Sequence, residues 1–233
     1  MDWKEYWKEY RSAPATNEDE LFVQVALTIG GRPIAKADFS LQIARIFAGL
    51  LLSSEDFVVD LCCGNGLFTQ PIAQKVRKVI GVDCTPQRIE DARRFRNHEN
   101  VSYIVADVME YLEGAEFGGG EIKVLISNSL AYFSPEEVDR MLRLIARASE
   151  DRYRLLATGI PIEDLQGNFY NTPERIARHR HNVAAGDESN DGLGRWWKRA
   201  ELVKIASKNG MNLELIVQPS ASINYRIDAL IFR

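Results

Sequence analysis

The stretch VVDLCCGNGLFTQ, residues 58–70, decides the fold of this chain. It begins inside an apolar run, residues 57–61, whose length and composition are those of a fully buried strand, and a carboxylate, Asp60, lies near the end of that run. The turn that follows consists of Cys62, Cys63, Gly64, Asn65 and Gly66. Glycines allow backbone conformations that other residues resist, and they let a ligand approach the main chain closely. The stretch therefore predicts a ligand site at the mouth of a buried strand.

The bulk composition is that of an ordinary globular protein of one domain, with 233 residues and a formal net charge of −4. This charge gives no global attraction to nucleic acid or to anionic membranes, so a nucleic-acid partner is disfavoured. No apolar stretch reaches the roughly 20 residues of a membrane span, and residues 1–20 lack the apolar core of a signal peptide. Three cysteines in one third of the chain are typical of a reducing compartment. We expect a cytoplasmic protein.

Buried-strand patterns alternate with helical patterns along most of the chain. Strands are predicted at 57–61, 78–83, 101–107, 121–127 and 153–159, with helical patterns at 38–52, 66–78, 85–95 and 134–149. Such alternation predicts a parallel sheet with helices on both faces. A further helix at 199–210 precedes two strands, 212–218 and 226–232, that are too close in sequence for a helical crossover. The predicted fold is therefore α/β, a seven-stranded, doubly wound, mostly parallel sheet whose last strand is antiparallel.

Acidic residues stand at the ends of three successive predicted strands, Asp60, Asp83 and Asp107. In such sheets ligands bind outside the carboxyl ends of the strands, and an acid about 20 residues after the glycine turn commonly accepts bonds from ribose hydroxyls. A dinucleotide and S-adenosylmethionine both fit this pattern. A dinucleotide site normally has G-x-G-x-x-G, whereas Thr69 stands at the third glycine here. The Asp60 carboxylate would repel a pyrophosphate and suits the cationic amino group of a methionine moiety.

At this point the chain resembles the class I, Rossmann-like S-adenosylmethionine-dependent methyltransferases, of the bacterial small-molecule type. The family's first motif is an acid followed by small residues and glycines at alternate positions, and VVDLCCGNG matches it with Cys62 at the first of those positions. The resemblance covers roughly residues 38–160. It implies one domain with an N-terminal helical cap at 1–37, a cofactor-binding core at 38–160, an acceptor-site insertion after the fifth strand at 161–195, and a C-terminal helix and hairpin at 196–233.

The resemblance also implies which residues hold the cofactor. Asp60 and the turn after it would hold the methionine part, Asp83 the ribose, and Asp107 the adenine amino group. An N-terminal helix would close over the cofactor, with Tyr10 or Arg11 reaching its carboxylate. The full set of implied cofactor residues is Tyr10, Arg11, Asp60, Cys62, Cys63, Gly64, Asn65, Gly66, Asp83, Cys84, Asp107, Val108 and Asn128. The adjacent cysteines lack the spacing of a zinc site, so no metal is expected.

The segment SNSLAYF, residues 127–133, indicates the class of acceptor. It lacks the acid or asparagine, two prolines and aromatic of base-modifying amino-methyltransferases, and no cysteine stands where cytosine-carbon enzymes place their nucleophile. We therefore expect a small-molecule acceptor. The insertion carries Arg175, Arg178 and Arg180, and Tyr225 and Arg226 begin the last strand. Because arginine recognises carboxylate or phosphate bidentately, these residues predict an anionic acceptor, the alternative being a solvated helix face.

Four residues are candidates for a direct part in methyl transfer: His179, His181, Asn128 and Tyr132. Either histidine could act as a base on a hydroxyl acceptor, because histidine titrates near neutral pH. Asn128 and Tyr132 could orient the acceptor, and a carboxylate or phosphate acceptor needs no base. The expected function is methyl transfer to the oxygen of a sugar, a nucleotide-linked sugar or a carboxylate. An RNA or protein methyltransferase and a non-catalytic module that binds the cofactor are the alternatives.

Overall fold

The computed structural model describes residues 2–186, 192–218 and 223–233. Its helices are α1 Trp3–Glu9, α2 Glu18–Gln24, α3 Lys36–Leu50, α4 Thr69–Ala73, α5 Pro86–Phe95, α6 Val108–Gly114, α7 Pro135–Ala148, α8 Gln166–Phe169, α9 Pro173–Ala184 and α10 Arg199–Lys208. Its strands are β1 Thr28–Ile29, β2 Arg32–Pro33, β3 Phe57–Leu61, β4 Lys78–Asp83, β5 Val101–Val105, β6 Ile122–Ser127, β7 Tyr153–Pro161, β8 Asn212–Val217 and β9 Arg226–Phe232. None of the helices within these ranges has the length and apolar character to cross a membrane.

Seven strands form one sheet in the order β5-β4-β3-β6-β7-β9-β8, and β1 and β2 form a small separate hairpin. Only β9 runs against its neighbours, since it pairs antiparallel with both β7 and β8. The predicted seven-stranded α/β fold is therefore confirmed. The chain moves outward from β3 through β4 to β5 and then returns to β6 on the other side of β3. This change of direction opens a crevice at the carboxyl ends of β3 and β6, where ligands bind in such sheets.

Local sequence signals account for the ends of several helices. Ser134 and Glu137 form a reciprocal capping box at the start of α7. Pro86 occupies the first turn of α5, where its missing amide hydrogen is not needed. The helix predicted at 66–78 is shorter than expected, because only Thr69–Ala73 is helical. The amides of Arg77 and Lys78 bond to Asp56 O at the start of β3, and this contact directs the chain into β4.

The sheet has an apolar core on each face. One core packs α6, α7 and α10 against the sheet, and it includes Trp197, which is fully buried. The other packs α3 and the residues around α4 against the opposite face. Trp197 also donates its amide to Pro161 O at the end of β7, which ties the chain after the insertion to the sheet. The polar residues at the carboxyl edge are therefore supported by buried structure on both faces.

Candidate functional site

A cavity of about 920 Å³ lies at the carboxyl edge of the sheet. Its wall comes from the turns after β3, β4, β5 and β6, from the start of β9, and from α1 and the β1–β2 hairpin. This volume is near the upper end of the range for small-molecule sites. In the text below, the cofactor end is the part lined by Asp60, Asp83 and Asp107, and the acceptor end is the part lined by Asn128, Arg175 and Arg226.

Asp60 is the most unusual group at the cofactor end. Its side chain is 1% exposed, Oδ2 accepts a hydrogen bond of 2.6 Å from the Thr69 hydroxyl, and buried Oδ1 has no hydrogen-bond partner among the described residues. Burial, with a smaller contribution from the nearby Asp83 carboxylate, raises the pKa of Asp60 to about 7. A buried carboxylate with one open oxygen is complementary to a cationic donor.

The turn after β3 is held in shape by backbone and side-chain contacts. The Gly64 amide donates to Asp83 Oδ2 at 2.9 Å, and the Thr85 amide donates to Asp83 Oδ1 at 2.8 Å. Gly66 has φ of 78°, and a Cβ at this position would lie 2.5 Å from the Tyr103 hydroxyl oxygen. No other residue would fit there without displacing Tyr103 or straining the backbone. Gly66, predicted to shape a ligand turn, is therefore also required by packing.

Both carboxylate oxygens of Asp107 already have partners. Its Oδ1 caps α6 by accepting from the amides of Met109 and Glu110, and its Oδ2 accepts from Lys4 Nζ on α1 at 2.7 Å. Although burial acts to raise its pKa, the Lys4 ammonium and the helix amides hold the pKa of Asp107 below its usual value. A ligand at this end of the cavity therefore shares Asp107 with the N-terminal helix or displaces Lys4 from it.

Arg88 on α5 attaches the N-terminal segment to the cofactor end, a role that the sequence did not reveal. Its Nη2 donates to Tyr10 O at 3.3 Å and to Gln24 O at 3.1 Å, and its guanidinium lies 4.7 Å from the centre of the Trp7 ring. Arg88 is only 5% exposed. Asn65 adds a second attachment, because its Nδ2 donates to Leu21 O and to Gln24 Oε1, each at 2.8 Å. These contacts attach the N-terminal segment to the core, so that it forms one wall of the cavity.

The acceptor end is organised around Gly159, in an irregularity of β7. Gly159 has φ of 69°, and a Cβ there would lie 2.1 Å from Asn128 Oδ1. Arg226 Nη1 donates to Asn128 Oδ1 at 3.2 Å and to Gly159 O at 3.1 Å. The Gly159 amide donates to Asp228 Oδ1, and Arg45 pairs with the same carboxylate group. Asn128 and Arg226 are therefore positioned by β7 and β9 together.

Two guanidinium groups of the acceptor end lack an acidic partner. Arg226 and Arg175 both line the cavity, and neither forms an ion pair with a carboxylate of the described residues. Arg175 instead donates to Phe169 O and lies 4.5 Å from the centre of the Phe169 ring. Phe169 also packs on Tyr225, with ring centres 4.9 Å apart. This end of the cavity therefore combines uncompensated positive charge with an aromatic surface.

The structure brings most of the predicted site residues to one cavity and leaves others outside it. Those that line the cavity are Tyr10, Asp60, Cys62, Cys63, Gly64, Asn65, Asp83, Cys84, Asp107, Val108, Asn128, Tyr132, Arg175, Tyr225 and Arg226. Those that do not line it are Arg11, Gly66, Arg178, His179, Arg180 and His181.

The two histidines are not placed to act on a ligand in this cavity. Of the basic cluster at 175–181 only Arg175 reaches it, because the residues after the first turn of α9 lie farther along the helix and mostly face solvent. His179 stacks on the Tyr170 ring at 4.0 Å, and His181 is exposed.

Comparison with known proteins identifies the class. Residues 58–151 match the family model described as a methyltransferase domain. This region contains β3 to β6, the turn around Gly64 and Asn128, and the fold is that of the Rossmann-like class I methyltransferases. The resemblance found in the sequence is therefore confirmed: residues 58–151 match a methyltransferase domain, and the solved structures reported below share the fold.

Individual proteins show how far this similarity extends. Magnesium protoporphyrin IX methyltransferase from Synechocystis PCC 6803, solved with bound SAH, has a TM-score of 0.63 at 17% identity, over 99% of this chain and 98% of that one. Phosphoethanolamine N-methyltransferase 1 of Haemonchus contortus has a TM-score of 0.68 at 16% identity, over 98% of this chain and 47% of that one.

A curated relative is similar in sequence over a shorter stretch. A 23S rRNA (uracil(1939)-C(5))-methyltransferase of Francisella tularensis subsp. novicida is 36% identical over 79 residues, which is 33% of this chain. The match spans 18% of that relative's length.

Proposed function

We propose that this protein is an S-adenosylmethionine-dependent methyltransferase that methylates an oxygen atom of a small, anionic acceptor. The observation that carries the proposal is that one cavity holds two complementary groups. Asp60, at the end of β3, is a buried carboxylate with an open oxygen, and Arg226, bonded to Asn128 after β6, is a cation without an acidic partner among the described residues. They lie on opposite sides of the switch point, which is the place between β3 and β6 where the strand order reverses. Sugar phosphates, nucleotide-linked sugars and carboxylates are the acceptor classes that this charge arrangement favours.

The residues of the cofactor end fit S-adenosylmethionine, whose sulfonium supplies an activated methyl group. The open Asp60 Oδ1 is suited to the amino group of the methionine part. Asp83 accepts one amide bond on each oxygen and retains lone pairs for ribose hydroxyls. Asp107, together with the amide of Val108, is suited to the adenine edge. The peptide around Gly64 lets the ligand lie against the main chain.

The part that the chain plays in the reaction is to position two reactants in one cavity. Correct placement alone supplies a large share of the acceleration of a two-substrate reaction. Asn128 is held by Arg226 and by its own bond to the Ser127 hydroxyl, so its side chain is fixed at the acceptor end of the cavity. The Tyr132 hydroxyl donates to Gly192 O at 3.3 Å, and the ring packs on Trp3 and closes the wall beneath α1.

Calorimetric titration with S-adenosylhomocysteine, with NADH as a parallel titrant, tests the first half of the proposal. Binding of S-adenosylhomocysteine at micromolar strength without an NADH signal is the expected result. Binding of NADH alone would contradict the proposal, because the same turn would then hold a dinucleotide. Charge reversal at Arg226 is expected to raise the Michaelis constant of the acceptor while leaving cofactor affinity unchanged, and charge reversal at exposed Arg178 serves as the matched control.

An RNA acceptor is a second candidate, favoured by the similarity to rRNA methyltransferases over 79 residues. Binding of a structured RNA that weakens steeply as salt rises is the measurement that would support it, because phosphate contacts release counterions. RNA affinity below detection at 50 mM salt, together with turnover of a small anion, would exclude it. The net charge of −4 favours the small acceptor.

A further inference from the structure

We propose that the acceptor attacks the methyl group through an oxygen of an ionised acidic group, and that Arg226 holds this group. The product is then a methyl ester, and the protein supplies no general base. Carboxylates and phosphonate- or phosphate-type groups share this chemistry. The inference rests on the proposed function and names the acceptor class of the same site.

The first step of the argument is the position of Arg226. Its guanidinium is bonded to Asn128, which directly follows β6 at the edge of the switch-point crevice, across from the cofactor end. Its two hydrogen bonds, through Nη1, go to neutral oxygens, and its buried Nε has no partner among the described residues. A half-buried guanidinium with open donors and no counter-ion is complementary to an anion bound beside it.

The second step is that the carboxylates that line the cavity are already engaged. Asp2 caps α1, Glu137 belongs to the capping box of α7, and Asp83 accepts two backbone amides. Asp107 accepts two amides and pairs with Lys4. Asp60 has an open oxygen, but it lies at the cofactor end and is 1% exposed. None of these groups is placed to take a proton from an acceptor beside Arg226.

The two histidines of α9 and Tyr132 do not supply a base either. Neither His179 nor His181 lines the cavity. Burial raises the pKa of Tyr132, so that its hydroxyl stays protonated at neutral pH. Because alcohols and protonated amines must lose a proton during methylation, they would need a base that the described residues do not place there. An ionised carboxylate or phosphonate needs none.

The step balances without proton transfer. The acceptor oxygen donates a lone pair to the methyl carbon and forms the new C–O bond. The bond from that carbon to the sulfonium sulfur breaks, and its electron pair remains on sulfur. A monoanion and a sulfonium thus give a neutral ester and a neutral thioether. Arg226 would hold the oxyanion in line for this displacement while keeping water from solvating it fully.

The first experiment measures binding and does not depend on turnover. The protein is loaded with S-adenosylhomocysteine and titrated with benzoate, phenylphosphonate and the neutral analogue benzyl alcohol, which suit the aromatic surface of Phe169 and Tyr225. At least one anion is expected to bind tenfold or more tightly than benzyl alcohol, since hydrogen bonds between ionised groups are the stronger ones. Equal affinities for all three ligands in the wild-type protein would overturn the inference.

Two variants assign the discrimination to a residue. Arg226→Gln is expected to abolish the preference for the anion, while Arg178→Gln, on the exposed side of α9, is expected to retain it. A preference that survives in Arg226→Gln would contradict the inference. The melting temperature and S-adenosylhomocysteine affinity of each variant are measured alongside. If Arg226→Gln does not fold, the comparison of anion with alcohol in the wild-type protein still decides.

The second experiment identifies the product. The wild-type protein is incubated with methyl-labelled S-adenosylmethionine and a panel of carboxylates, phosphonates, phenols, alcohols and amines, and the products are treated with mild alkali. A methyl ester of a carboxylate is expected to release the label as methanol in mild alkali. A methyl ester of a phosphonate is expected to release it only under stronger hydrolysis. Label retained in an ether or an N-methyl product would overturn the inference. Failure of S-adenosylhomocysteine to bind would instead contradict the proposed function, and titration of the free protein with the three ligands would still test Arg226.

Discussion

The ionisation of Asp60 allows a quantitative test of the cofactor end. Asp60→Asn keeps the size of the side chain and an oxygen to accept from Thr69, but it removes the buried negative charge. The pKa of Asp60 is about 7 in the folded protein, against an ordinary value of 3.8. The folded state therefore binds the proton more tightly than the unfolded state. The contribution of Asp60 to the free energy of unfolding is therefore fully present at low pH and is lost as the pH rises from about 4 to 7.

The size of the effect follows from those two pKa values. Between pH 5 and pH 8 the wild-type protein is expected to lose about 2–3 kcal/mol of unfolding free energy through Asp60 alone. The asparagine in Asp60→Asn does not titrate, so the variant does not lose this contribution of about 2–3 kcal/mol to the unfolding free energy as the pH rises. The difference in unfolding free energy between the two proteins is therefore expected to shift by about 2–3 kcal/mol in favour of the variant between these pH values. The cost of burying the new amide is the same at both pH values and cancels.

Urea denaturation of both proteins at pH 5 and pH 8 gives this double difference directly. Asp19→Asn, at an exposed carboxylate on α2, is the control and is expected to follow the wild-type protein. Calorimetry with S-adenosylhomocysteine at pH 8 completes the test, because Asp60→Asn is expected to bind at least tenfold more weakly although its stability relative to the wild type rises with pH. A double difference near zero would show that Asp60 titrates as an exposed carboxyl does, and the argument from burial would be wrong.

Three further substitutions separate the parts of the site. Asp83→Ala is expected to weaken S-adenosylhomocysteine binding more than tenfold in calorimetry, and unchanged affinity would remove this residue from the site. Gly159→Ala is expected to raise the acceptor Michaelis constant, because its Cβ would displace Asn128, whereas Gly210→Ala has a similar φ of 65° with open space and is expected to lose only stability, roughly 1–2 kcal/mol. Arg88→Met is expected to speed proteolysis of residues 2–27 at low protease, and a wild-type digestion pattern would contradict the anchoring role.

Much of the fold could be predicted because its signals are local. The apolar run at 57–61 coincides with β3, and the run at 78–83 coincides with β4. The capping box of Ser134 and Glu137 is predicted from four consecutive residues of the sequence. The acids near the ends of three neighbouring strands indicated one edge of the sheet, and the structure places all three along one cavity.

The rest of the site depends on contacts that sequence spacing does not reveal. Arg88 bonds to backbone oxygens 78 and 64 positions away in the chain, and nothing within α5 marks it as different from a solvent-exposed arginine. The basic cluster of α9 shows the opposite case. Its charges are close in sequence, but a helix distributes them around its axis and along its length, and only Arg175 in the first turn reaches the cavity. Orientation of a helix in an insertion is set by tertiary packing, which a single sequence does not encode locally.

The aromatic packing of α1 gives the protein an optical signal of its own. Trp3 and Trp7 both line the cavity, and their ring centres lie 4.8 and 5.1 Å from that of Tyr132. Trp196 and Trp197 do not line the cavity. Any ligand that shifts the N-terminal wall changes the surroundings of Trp3 and Trp7, whereas a ligand at the acceptor end reaches Trp196 through Phe169 and Tyr225, and Trp197 stays fully buried. Rapid-mixing fluorescence can therefore follow the arrival of each reactant without a label and show whether the wall moves before or after it binds.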